Sequence, residues 1–190
     1  MRAMGAEEAA YVRRVKEALE PGYIGEENAA GVQRALPDVS ERIVGLLAAA
    51  AEAEEWFEFT RLANLGRWVA PAGPLADQLI PVLELRPWGA NKEDLAEILG
   101  EIESVAAVPT LIRVFEEELV DDAPAYWLCK TCVDALGTVH FVYGAEGDGG
   151  ASGFLREVAT GDYPDQLRWE AAVELQIEDE LGFDEDEMTA

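Results

Sequence analysis

The residues best equipped for chemistry are two cysteines, Cys129 and Cys132, and a lone histidine, His140. A C-x-x-C pair can exchange electrons when its first thiolate is stabilised at a helix N-terminus after a strand, or it can supply half of a zinc site. Neither setting is legible here. The helical pattern places both thiols inside a helix over about 124–139, and the chain holds no further cysteine and no second histidine to complete a zinc site. The sequence therefore predicts small, buried, reduced thiols.

The remaining candidates fail on spacing. Ser40, Ser104 and Ser152 lie outside any Gly-x-Ser-x-Gly elbow. The glycines between His140 and Gly153 lack the G-x-G-x-x-G or Gly-Lys-Ser/Thr order that cradles a phosphate, and Glu146 and Asp148 would oppose one. A mobile loop is expected there. Glu116, Glu117 and Glu118, with Asp121 and Asp122, lack the ligand order of an EF-hand and read as a solvated helix end. Without a nucleophile–base pair or a ligand set, the chain is expected to be no enzyme and to hold no metal or cofactor.

What must position these residues is the run LAEILGEI, Leu95 to Ile102, and three weaker echoes: LANLGRW, CVDALGTV and AAVELQI. Aligned on the Leu-Gly pair, the anchor falls at Gly66, Gly100, Gly137 and Gln176, with spacings of 34, 37 and 39 residues. That period belongs to stacked helical hairpins. Outer helices are expected at about 39–51, 75–86, 106–119 and 151–160, and anchor-bearing helices at about 54–69, 91–102, 124–139 and 165–178. Pro81 should kink the second outer helix. Helices over 6–20 and 27–36 lack the anchor, so residues 1–37 read as an N-terminal cap. Asp38 and Glu41 have the spacing of a capping box that opens the repeat region, 38–178. Residues 179–190 read as an acidic tail. The chain has 190 residues, 49% of them apolar, which suits one domain overall.

Helical geometry separates the faces of the anchor-bearing helices. Positions nine, five and one before the anchor, and two after it, gather Phe57, Leu65 and Trp68; Leu95, Leu99 and Ile102; Leu128, Cys132, Leu136 and Val139; and Leu167, Ala171 and Leu175. That stripe is expected to be core. Positions ten, seven and three before the anchor gather Trp56, Phe59 and Ala63; Ala90, Glu93 and Glu97; Trp127, Lys130 and Asp134; and Gln166, Trp169 and Val173. Aromatics beside acids on one ridge are the composition of a protein-binding hot spot.

Charge narrows the partner. The formal net charge is −25, and residues 38–190 carry 33 acids against nine bases. Such a field repels a phosphate backbone and attracts a cationic surface. Nucleic acid is excluded as a direct partner. The longest apolar stretch, Ile43 to Ala51, is nine residues, against the ~20 needed to span a bilayer. The opening MRAMGAEEAA reaches acids before a secretory core could form, so a cytoplasmic location away from membranes is expected.

The hairpins resemble HEAT repeats, particularly the short bacterial HEAT-like type of phycobilisome-lyase-like proteins. Their second helix carries Val-Arg, two alanines and Leu-Gly, and LRWEAAVELQI is the best match, through Leu167, Arg168, Ala171, Ala172 and Leu175. The first three anchor helices depart from it by lacking the Val-Arg pair. The resemblance implies an all-α protein, a right-handed α-solenoid of about four helical hairpins with an N-terminal helical cap, whose anchor helices line the concave face. It also implies relatives with di-iron sites built from several His-Glu pairs, which this chain lacks, and DNA-glycosylase relatives with a basic concave face, where this one is acidic. The expected function is non-enzymatic binding of a basic protein through Trp56, Phe59, Glu93, Glu97, Trp127, Lys130, Asp134 and Trp169, with Trp88 and Tyr126 as extensions. An immunity or inhibitor protein for a cationic toxin is the concrete form. The alternative is a bilin-lyase-like or other enzyme-assembly factor holding a small ligand between helices.

Overall fold

The computed structural model describes residues 5–19 and 24–183. Over these residues the protein is all-α, with eleven α-helices, one short 3-10 helix at Val105–Ala107 and no strand. The helices are α1 (Ala6–Ala18), α2 (Glu26–Ala35), α3 (Val39–Glu52), α4 (Trp56–Val69), α5 (Ala72–Leu85), α6 (Lys92–Glu101), α7 (Val108–Glu118), α8 (Trp127–Tyr143), α9 (Ala151–Thr160), α10 (Asp165–Glu174) and α11 (Glu178–Leu181). None of these is long and apolar enough to cross a membrane. The chain divides into two compact units, with the boundary between Ile98 and Leu99 inside α6.

In the first unit, Ile43 and Leu47 of α3, Phe59, Leu62 and Leu65 of α4, and Leu75, Leu79 and Leu83 of α5 are fully or almost fully buried. Each contributes about 1.5–3 kcal/mol by leaving water. Helix α4 packs against α3, α5 and also α2, so it is covered on an additional side. That cover is specific: Trp68 donates its indole N–H to the Ile24 carbonyl at 3.0 Å, and Lys16 of α1 pairs with the buried Glu58 of α4. Pro81 lies inside α5 without ending it. The expected capping box does not form. Asp38 makes no side-chain bond to the first turn of α3; its carboxylate accepts the Tyr11 hydroxyl at 2.7 Å instead. Accepting that bond holds the Asp38 carboxyl below its ordinary range, while burial and the same bond push Tyr11 up to about 12.

In the second unit, α7, α8, α9 and α10 pack around Phe115, which meets Phe154 edge-on at 5.2 Å and Tyr163 at 5.8 Å between ring centres. Leu136 and Val139 of α8, Leu155 and Val158 of α9, and Leu167 and Ala171 of α10 close this core. Two expectations shift. Helix α8 runs on to Tyr143, so the glycine-rich connection shortens to 144–150. Helix α10 stops at Glu174, and the fourth anchor, Gln176, stands beyond it in the left-handed region at φ 56°. The expected acidic tail begins instead as α11, and its last seven residues, 184–190, lie outside the described residues.

The connection expected to be a mobile loop is pinned by one carboxylate. Asp148 is fully buried; it sits 2.9 Å from His140 Nδ1 and accepts the Gly150 and Ser152 amides at 3.0 and 2.9 Å. Those bonds outweigh the desolvation of Asp148 and keep its carboxyl below the usual range. The acid read from the sequence as hostile to phosphate is the fastener that joins the end of α8 to the start of α9.

Candidate functional site

The two cysteines are settled by burial. Because α8 starts at Trp127, Cys129 falls in its first turn rather than mid-helix, a placement that by itself would favour a thiolate. Burial wins over the helix end. Desolvation, reinforced by Asp122 and Glu118, pushes the Cys129 thiol up to about 12, and burial drives Cys132 well above its ordinary value. Both thiols are free, and the Cys129 Sγ points its proton at the Phe115 carbonyl, 3.7 Å away. Asp122, expected to belong to a solvated helix end, accepts the Cys129 amide at 2.8 Å and so caps α8. Among the described residues, no three of His, Cys, Asp and Glu are placed to hold a metal ion.

The expected binding stripe separates by unit. In the first unit Trp56 is half-buried against Phe59, ring centres 6.3 Å apart, and Phe59 itself is fully buried, as is Ala63. Phe59 is therefore core and no partner contact. Conversely Phe57, expected in the core, is 72% exposed, and Trp68 is 40% exposed. The α4 helix is rotated by about one residue from the register set by the Leu-Gly alignment, because the extra cover from the N-terminal hairpin draws Phe59 and Glu58 inward. The face of α4 beside α6 carries Thr60, Asn64 and Arg67. The Asn64 amide donates to Asp94 Oδ2 at 2.8 Å, the Asn91 amide N–H to the Thr60 hydroxyl at 3.1 Å, and Arg67 to Glu97 at 3.3 Å. Glu93 and Glu97 are exposed, as expected.

In the second unit the stripe residues range from exposed to half-buried. Tyr126 in the left-handed region at φ 53° and the Asp122 cap start α8 so that Trp127 projects, 66% exposed. Lys130 and Asp134 follow along the same face, half-buried and exposed respectively, and α10 packs alongside with Trp169 half-buried and Gln166 and Val173 exposed. Ile102 and Leu175, expected in the core, are only half-buried.

Two residues missed by the register complete this face: Glu170 and Glu174 of α10. Gly100 packs against Ala135, where an added Cβ would lie 2.7 Å from the Ala135 Cα; one rung on, a Cβ at Gly137 would collide with the Glu174 carboxyl. Ala135 and Glu174 both stand two places before their anchors, so an acid occupies the rung where the preceding pair has a methyl. That substitution was visible in the sequence as ELQ against ALG. Although the Asp134 residue is exposed overall, its carboxyl loses hydration beside Glu170 and is pushed up to about 6, with Lys130 opposing. Desolvation also raises Glu170, again against Lys130. Glu174 is pushed up to about 7, first by burial and then by Asp134 and Glu170, with His140 opposing.

These groups bring three carboxyls of raised proton affinity and one cation, Lys130, to the α8/α10 face. A separate cleft on the N-terminal hairpin is lined, among the described residues, by Ala18, Glu27, Asn28, Gly31 and Arg34. Comparisons with protein-family models, with curated proteins and with solved structures gave no match to this chain.

Proposed function

We propose that the protein is a non-enzymatic binding module, a right-handed α-solenoid of about four HEAT-like hairpins, whose α8/α10 face takes a basic protein partner. The observation that carries this reading is Trp127, 66% exposed at the head of a ridge that continues along α8 through Lys130 and Asp134, with Trp169 on the adjoining α10. Leaving an indole in water is unfavourable, and tryptophans so placed are the commonest anchors of protein interfaces. The net charge of −25 supplies long-range attraction for a cation-rich surface, to which Glu93 and Glu97 add. The concrete form of the proposal is an immunity or inhibitor protein for a cationic toxin or nuclease, held in the cytoplasm.

The test is capture of partners by the purified chain, identification by mass spectrometry, and titration of the captured protein against variants. Trp127→Ala should lose ~2 kcal/mol or more of affinity, mainly through faster dissociation, with an unchanged circular dichroism spectrum. Neutralising Glu93, Glu97 and Asp134 together should slow association at low salt and have little effect at high salt. An acidic partner, or one held equally well by Trp127→Ala, would overturn the proposal.

A further inference from the structure

We infer that the packing of α10 on α8 is a proton-operated latch: it tightens as Asp134, Glu170 and Glu174 take up protons and loosens as they ionise. The inference concerns the helices themselves and holds whether or not this face binds a partner. Its basis is geometric. Glu174 holds against Gly137 the place that Ala135 holds against Gly100 one rung earlier, and its carboxyl folds into the space that the missing side chain of Gly137 leaves on α8. A carboxyl lying on a helix backbone is tolerated far better as the neutral acid than as the anion, because the helix surface there replaces water without returning its hydration.

The surrounding charges do not rescue the anion. From α8, Glu174 feels Asp134, which repels it, and His140, which attracts it; from its own helix it feels Glu170. Lys130 is the cation acting on Asp134 and Glu170. His140 is itself engaged through Nδ1 with Asp148. The charged groups on the other packed elements act elsewhere or add acid. Glu157 of α9 and Glu116 of α7 act on Tyr163, Glu118 of α7 acts on Cys129, and α11 brings Glu178, Asp179 and Glu180. Arg156 of α9 is exposed, and Arg168 of α10 is occupied with Asp165 and the Ala159 carbonyl.

The sign follows from linkage. Asp134 titrates at about 6 and Glu174 at about 7 in the folded chain, above the 3.8 and 4.5 of unfolded carboxyls. Between those limits the folded chain holds protons that the unfolded chain has released, so stability rises as pH falls from about 7 toward about 4.5 and is lost as pH rises through the folded values. Asp148 shifts downward, so its contribution is lost only below that window.

Amide hydrogen exchange of the full chain, corrected for intrinsic rates at pH 5, 6.5 and 8, reads the latch directly. Amides of α10 should be about tenfold or more better protected at pH 5 than at pH 8. In Glu174→Gln, protection at pH 8 should rise toward the pH 5 level and the pH dependence should shrink; Asp134→Asn should do the same more weakly. Amides of α4 in the same samples serve as the internal control and should not follow this trend. Equal protection of α10 at all three pH values, an undiminished pH dependence in both variants, or a parallel change in α4 would overturn the inference.

Discussion

On the face that α4 shares with α6, carboxylates meet donors: Asp94 accepts amide N–H groups from both Asn64 and Asn91 at 2.8 Å, and Glu97 meets Arg67. On the face that α8 shares with α10, carboxylates meet one another, and Asp134, Glu170 and Glu174 divide the attraction of Lys130 and His140 among them. Both faces descend from the same Leu-Gly alignment, so hydrophobic pattern does not distinguish them. What differs is one class of residue: the first face interposes neutral amides and a hydroxyl, Asn64, Asn91 and Thr60, which can donate without adding charge. A helix pair that satisfies its acids gains a fixed polar seam. One that leaves them in surplus gains a surface that responds to protons and cations. The α8 ridge also begins at an exposed indole, Trp127, whereas the aromatic at the matching rung of α4, Trp56, is half-buried against Phe59.

The sharpest way to break this comparison is at Phe59, which shares its place in the register with Lys130. Phe59→Ala should cost ~3–5 kcal/mol by emptying a fully buried ring site. Trp127→Ala on the other face should cost far less in stability, because the indole is mostly in water. Urea denaturation of both variants measures the contrast, and similar losses would mean that Trp127 is also core. A medium effect tests the seam. Asp94→Ala removes the acceptor of two amide bonds and should destabilise by about 1.5–3 kcal/mol at pH 7, whereas Glu174→Gln should stabilise at that pH, so the two removals of negative charge carry opposite signs. Thermal melts at pH 7 decide this, and destabilisation by both would erase the distinction. The smallest effect is at Glu97. Its carboxylate is half in water although Arg67 is buried, and the amide oxygen introduced by Glu97→Gln can still accept from the guanidinium, so stability should change by less than about 1 kcal/mol. Melts at low and high salt check it.

Much of the helical layout was legible because period and punctuation are local. The outer helix over 151–160 was placed to the residue, and most of the others to within a few residues. The core leucines of α6 and α8 were legible for the same reason: Leu95, Leu99, Leu128 and Leu136 recur at helical spacing and are buried. Of the expected binding residues, Trp127, Lys130 and Asp134 recur along α8, Trp169 is half-buried on the adjoining α10, Glu93 and Glu97 are exposed, and Phe59 is not available. The miss at Phe59 and the mirror error at Phe57 have one cause. Aligning on the anchor fixes a helix's rotation only if each anchor helix is packed on the same sides, and α4 alone carries the N-terminal hairpin through Lys16–Glu58 and Trp68–Ile24.

The sequence by itself determined the helical class and the acidic excess, since these depend on residue types and on a period of 3.6 that no distant contact alters. Tertiary structure alone decided the rest. It turned Asp148 from a loop acid into a fastener, moved the Asp38 carboxylate from a cap to Tyr11, and folded Glu174 onto Gly137 beside two other acids. Each of those outcomes is a choice of partner for a charged group. Such choices depend on which helices lie within a few ångströms and on how much water is left between them, and neither quantity is written in the order of the residues.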